Sequence, residues 1–502
     1  MTFVKIVVVW GSAIAAIPAT ASPAATRPIV EGYLPSHRGL EATLASVDPR
    51  SYSDIALAFV NPDATGRFVD GDTLACMTDR MLAPIPGQAL RNAVATIHAA
   101  HDRAIGALAG AILPACAGDW SALVAPPRRA ATVAALAAFA ETYGLDGLDV
   151  DIEGDLLARL VKSGDYTPFV TDLGRALRAR HKTLSGTTAS YVGGMIPLGA
   201  LPAFDRVEVM SYDNNVPGEE QAGLPRFRSD LYLWLGRGVA KDRLVMGLPF
   251  YGRGYGTYSP AYPYHNLVAQ FGPQTGDLIG QLCATCSYIT FNGPATIAQK
   301  TALAAAKAGG VMVWELSEDT PDATLVHAID AGLTAAPPPT PAPVDVTPGT
   351  GTPLNTPDVR AWTIYGVNTY ALVPAAGLPS GNALEVKVAK PTENSWDVGV
   401  EAPLAGGVKA GDRVTFAVRA RLKAADAVAQ LDIPAAIEGA ESPNTTVIQD
   451  RITVTTQWRW LKITGIATAD ASPGTLNAAL QIGNAAKVID LGPAVVTDEG
   501  QP

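Results

Sequence analysis

Eight short apolar runs, spaced along residues 27–335 with helix-patterned stretches between them, limit what this chain can fold into more than any other feature. They fall at 27–34, 53–60, 104–110, 145–153, 183–190, 206–213, 243–250 and 309–316. Several are almost continuously apolar, as parallel strands buried on both faces should be. Helical periodicity occupies 90–101, 130–143, 167–181, 228–239 and 296–307. In the second of these, Val133, Leu136, Ala137, Ala140 and Tyr143 make one apolar stripe, and Gly144 stops it. Strand–helix alternation requires crossover connections and therefore a parallel sheet. Eight strands in roughly 300 residues suit an α/β (β/α)8 TIM barrel. An open doubly wound sheet competes, but no Gly-rich phosphate loop follows the first run. Barrel enzymes build their sites at the C-terminal ends of strands. Glu153, Asp213 and Trp314 all stand near such ends.

The fourth run carries the densest chemistry. Residues 143–155 read YGLDGLDVDIEGD, with Asp146, Asp149, Asp151 and Glu153 inside eight residues. Leu148, Val150 and Ile152 alternate with the last three acids. A strand would place those carboxylates on one face and the aliphatics on the other. Aligned carboxylates on a buried strand repel one another and lose hydration, which favours their protonated forms. Stability does not call for this arrangement, so it marks a site. A solvated acidic face would not alternate with Leu, Val and Ile. Clustered carboxylates can also hold a hard metal, but the segment lacks the turn residues and mid-loop Gly of a calcium loop. No metal and no cofactor is expected.

Asp146-Gly147-Leu148-Asp149-Val150-Asp151-Ile152-Glu153 resembles the D-G-x-D-x-D-x-E signature of glycoside hydrolase family 18, the chitinase family. Met210-Ser211-Tyr212-Asp213 is similar to the family's M-x-Y-D on strand six. Residues 247–253 resemble its strand-seven motif and 310–319 its strand-eight segment. Gly32-Tyr33 and Ala58-Phe59 resemble strands one and two. The likeness covers 27–335. It departs at strand three, where 105–110 replaces the usual S-x-G-G. The stretch between strands seven and eight is short, which implies a reduced inserted domain and a more open cleft.

The resemblance implies substrate-assisted catalysis, the family's exception to the two-carboxylate scheme. Glu153 would be acid and base, with the substrate's own N-acetyl oxygen as nucleophile. Asp151 would orient the acetamide, Asp149 would share a proton with Asp151, and Tyr212 would fix the acetamide oxygen. Asp213, Met210, Trp314, Tyr33 and Phe59 would bind substrate, although Trp314, Met210 and Tyr33 equally suit packing of the barrel interior. Asp146 and Gly147 would be structural. The implied substrate is chitin or another N-acetylglucosamine polysaccharide cut with retention. An endo-β-N-acetylglucosaminidase and a non-hydrolytic chitin-binding lectin are the alternatives.

The net charge of −10 argues against nucleic acid and anionic membranes as partners. Residues 1–21 read as a signal peptide: Lys5, an apolar run over 6–17, then Ala19-Thr20-Ala21 before Ser22. Without it no membrane association is expected, and the mature protein should be an exported monomer, extracellular or periplasmic. Cys76, Cys116, Cys283 and Cys286 allow three pairings; Cys76–Cys116 with Cys283–Cys286 is favoured. Residues 336–357, rich in Pro, Thr and Gly, form a linker able to hold two domains apart. From 358 to 502 short alternating runs such as Leu384, Val386 and Val388 imply a β-sandwich. Residues 394–398 and 409–416 resemble carbohydrate-binding jelly-roll modules, though Trp396, Trp458 and Trp460 suit a core as well as a sugar platform.

Overall fold

All eight runs form strands, and neighbours pair in parallel until the eighth meets the first and closes a barrel. From first to eighth they are Ile29–Pro35, Asp54–Val60, Arg103–Gly110, Gly147–Ile152, Thr183–Thr188, Arg206–Val209, Leu244–Pro249 and Gly310–Trp314. The computed structural model describes residues 28–502 except 259, 340–345, 379, 425–427 and 442–443. The leader read at 1–21 therefore lies outside the described residues. No helix among them is long and apolar enough to cross a membrane. Helices Gly87–Ala99, Pro126–Thr142, Tyr166–Arg178, Leu224–Gly236 and Pro294–Lys307 occupy the five places that periodicity marks.

Side-chain alternation divides the barrel into two environments. Leu148, Val150 and Ile152 point outward, fully buried against the helices. Inside, Ala56, Ala58 and Ala107 leave room for Tyr33, Val245 and Met312. Gly147 is required where the fourth and fifth strands approach: a Cβ there would stand 2.6 Å from the Thr183 carbonyl oxygen.

Between the seventh and eighth strands the chain makes a small four-stranded sheet of Ala261–Pro263, Tyr251–Tyr255, Tyr288–Thr290 and Leu278–Gly280, with the helix Tyr264–Phe271. The insertion is short, as expected, but it still builds a wall: Tyr251 and Arg253 line the cavity at the barrel mouth. Both favoured disulfides are present, Cys76–Cys116 and Cys283–Cys286.

The C-terminal region forms two antiparallel sheets, one built around Arg413–Leu422 and Lys487–Asp498, the other around Gln430–Gly439 and Leu476–Gln481. They begin earlier than residue 358. Thr352–Pro353 pairs with Lys487–Asp498, and the Leu354 N–H donates to the Val496 carbonyl (2.9 Å). Nor are the sheets held away from the barrel. The helix Leu224–Gly236 packs on the strand Gln430–Gly439, and Gly236 accepts a hydrogen bond from the Ala486 N–H (2.9 Å). The Leu198 N–H donates to Glu393 Oε1, also at 2.9 Å. Backbone bonds and apolar burial outweigh the extension that a Pro-rich linker allows.

Candidate active site

The fourth strand lies wholly buried, and its inward residues make a column of carboxyls. Asp149 is fully buried. Its Oδ1 accepts from Ser185 Oγ (2.9 Å), and its Oδ2 accepts from the hydroxyls of Thr187 and Tyr33 (3.0 Å each). Asp151, two residues on, is 4% exposed, and its Oδ1 has no hydrogen-bond partner. Glu153 follows the strand directly, at the start of the helix Gly154–Ser163. The column thus rises from the barrel interior to its mouth.

At the mouth is a cavity of about 520 Å³ lined by Asp151, Glu153, Tyr212, Asp213, Met210 and Trp314, among others. Trp314 stacks on Phe59 (5.8 Å between ring centres, 20° between planes) and lies 5.7 Å from the Tyr33 ring. A second cavity of about 380 Å³, with Tyr191, Asn214 and Arg226, shares Glu153, Met210, Tyr212 and Asp213 with the first. Glu153 therefore sits where two arms of one cleft meet. Asp213, in a left-handed backbone conformation (φ 62°), is gripped by Arg253 through two bonds of 2.8 Å and by the Tyr251 hydroxyl at 2.8 Å.

The sequence from 53 to 319, just over half of the chain, matches the family model of glycosyl hydrolases family 18. The chain belongs to that family. Chitinase 63 of Streptomyces plicatus is 33% identical over 117 residues, 19% of each chain. Nod factor hydrolase protein 1 of Medicago truncatula is 26% identical over 257 residues, which are 39% of this chain and 64% of that protein. This chain thus spans less than two thirds of either relative. The family 18 chitinase ChiB of Flavobacterium johnsoniae superposes with a TM-score of 0.51 at 26% identity, over 61% of this chain and 94% of that one.

The electrostatics of this family 18 barrel follow from burial. Desolvation raises Glu153 to about 7, aided by the charges of Asp213 and Asp149 and opposed by a hydrogen bond from Asp151. Burial raises Asp151 well above the carboxylate range, with Glu153 and Asp149 adding to it. Asp149 is raised by burial too, but Ser185, Tyr33 and Thr187 donate to it and favour its ionised form. Desolvation followed by the nearby Asp151 and Glu153 raises Tyr212, so it stays a hydroxyl donor at neutral pH.

The structure brings together Glu153, Asp151, Asp149, Tyr212, Asp213, Met210, Trp314, Tyr33 and Phe59. Tyr33 presents its ring to the cavity, while its hydroxyl is taken up by the interior acids. Asp146 lies elsewhere, at the opposite end of the fourth strand. It accepts from the Ala104 N–H and pairs with His98 Nε2, both at 2.8 Å. Sequence reasoning passed over Glu31 and Glu208, each a lone acid inside an apolar run and each buried in the barrel. It also passed over Arg253 as the partner of Asp213.

Proposed function

We propose that this protein is a secreted, retaining chitinase that cuts β-1,4 bonds between N-acetylglucosamine units, with Glu153 as acid and base. The observation that carries the reading is the column itself: a proton-bearing carboxyl at the cleft junction above a buried Asp151 with one unpartnered oxygen. Glu153 gives its proton to the glycosidic oxygen. Asp151 accepts the acetamide N–H and turns the acetamide oxygen toward the anomeric carbon, with the Tyr212 hydroxyl donating to that oxygen. Trp314 and Phe59 floor the ring. The resulting oxazolinium is opened by water, with Glu153 now acting as base. The relatives named as chitinases support the substrate class, and the two-armed cleft supports cutting within a chain. The C-terminal sheets fit a carbohydrate-binding module, with Trp396 exposed. Secretion rests on the leader-like start of the sequence.

Chitotetraose hydrolysis with product sizing and anomer analysis tests this. The expected outcome is chitobiose released first as the β-anomer. Because Glu153 must be protonated to donate and its value lies near 7, kcat/KM should fall about tenfold per pH unit above that point. Cleavage of a high-mannose glycopeptide but not of chitotetraose would assign an endo-β-N-acetylglucosaminidase. Binding without cleavage would assign a lectin.

A further inference from the structure

The Tyr33 hydroxyl has more neighbours than its one proton can serve. Its oxygen lies 3.0 Å from Asp149 Oδ2, from Thr187 Oγ1 and from Glu208 Oε2, and Thr187 Oγ1 is also 3.0 Å from Asp149 Oδ2. Tyr33 has one hydrogen for two carboxyl oxygens, and the Thr187 hydrogen can fill neither of those two contacts, so with both carboxyls ionised one of them would face a hydroxyl lone pair at 3.0 Å. A third proton is needed, on Asp149 or on Glu208. Asp149 already receives Ser185, Thr187 and Tyr33, a donor set made for an anion. Glu208 has a smaller one, with Glu31 and Tyr33 as its hydrogen-bonding neighbours. It is fully buried, and its Oε1 has no hydrogen-bond partner.

We infer that Glu208 is a positioning residue: it holds a proton and donates it to the Tyr33 oxygen, so that the Tyr33 proton goes to Asp149 and keeps Asp149 ionised beneath Asp151. An ionised Asp149 is the base to which Asp151 can pass its proton as positive charge grows on the sugar. The surroundings agree. Glu208 faces Glu31 and Tyr33 on the first strand, Asp149 and Asp151 on the fourth, and Tyr212, while Glu31 in turn faces Asp54 on the second. Arg206, on its own strand, is 2.8 Å from Asp54 and 3.6 Å from Glu31, and Arg103 on the third strand also holds Asp54. From the seventh and eighth strands the side chains in this interior cluster are Val245, Met312 and Trp314, none of them titratable. Burial, then the charge of Asp149, raises Glu208 to about 8.

The inference rests on the proposed catalysis, and Glu208→Gln tests it, since the amide can still donate to Tyr33 but cannot ionise. At about pH 5–6 its kcat on chitotetraose should stay within about threefold of wild type. Above about pH 8, log(kcat/KM) of wild type should fall with a slope of about two and that of the variant with about one. In a Tyr33→Phe background the two profiles should coincide. Melting supplies a readout free of activity. A buried carboxyl raised to about 8 weakens the fold progressively as pH climbs from the ordinary carboxylate range to that value. The gain in Tm from Glu208→Gln should therefore be absent near pH 4 and reach a plateau near pH 8. Superimposable profiles with a Tm difference independent of pH would overturn the inference. So would a loss of about a hundredfold or more at pH 5–6, which would mean that Glu208 works as an anion. If wild type cleaves no chitooligosaccharide, the functional reading fails, and the melting series still decides whether Glu208 holds a proton.

Discussion

Glu153→Gln should lower kcat on chitotetraose by at least about a hundredfold, the lower bound for losing general acid catalysis, with KM little changed. The amide has the carboxyl's shape but no proton to deliver to a leaving oxygen. The loss should not come from unfolding. Glu153 is raised to about 7 mainly by burial, so the folded protein keeps it neutral at a pH where the unfolded chain ionises it. That difference costs stability increasingly as pH rises from the ordinary carboxylate range to about 7, and Gln removes it. The variant's Tm at pH 7 should equal or exceed that of wild type. Kinetics and thermal melting on the same preparation check both halves.

Asp151→Asn should be nearly as damaging, about a hundredfold in kcat, with the larger share of the loss in kcat rather than KM. In the free protein Asp151 is a buried, protonated group bonded to Glu153, so Asn costs little before substrate arrives. The cost comes later. In the proposed mechanism, positive charge develops beside Asp151 as the acetamide oxygen attacks. A carboxyl can pass its proton to Asp149 and become an anion where that charge forms, whereas an amide cannot. If the variant instead showed a raised KM at normal kcat, Asp151 would be a binding group only. Steady-state kinetics at a pH below 7, where Glu153 is protonated, separates the two.

Most of this arrangement could be read from residue order. Period-2 alternation at Leu148–Glu153 placed the acids on one face because a strand has no other way to hold them. The Gly-ended stripe over 130–143 became the helix Pro126–Thr142. The helix Gly154–Ser163 was harder to see. It begins on Gly154 (φ 52°) straight after Glu153, where Gly and Asp read as a turn, and its apolar face is only Leu156, Leu157 and Leu160. Glu31 and Glu208 were invisible for another reason. A single acid in an apolar strand marks nothing until the barrel closes and sets it beside Tyr33 and Asp149. The docking of the C-terminal sheets was equally hidden, because Gly236 and Ala485 look ordinary until a close backbone approach brings them together: a Cβ on Gly236 would lie 2.6 Å from the Ala485 Cβ.

The central claim is that the sugar brings its own nucleophile and that Glu153 only moves a proton. Chitotetraose and cellotetraose differ at that point, an N-acetyl group against a hydroxyl on the same β-1,4 backbone. Comparing their kcat/KM on the wild-type protein is the most direct measurement. The account predicts cleavage of chitotetraose and a rate at least about 10⁴-fold lower on cellotetraose, within the range that a positioned intramolecular group contributes. Comparable rates on the two would contradict it, since the attacking atom would then have to come from somewhere other than the acetamide.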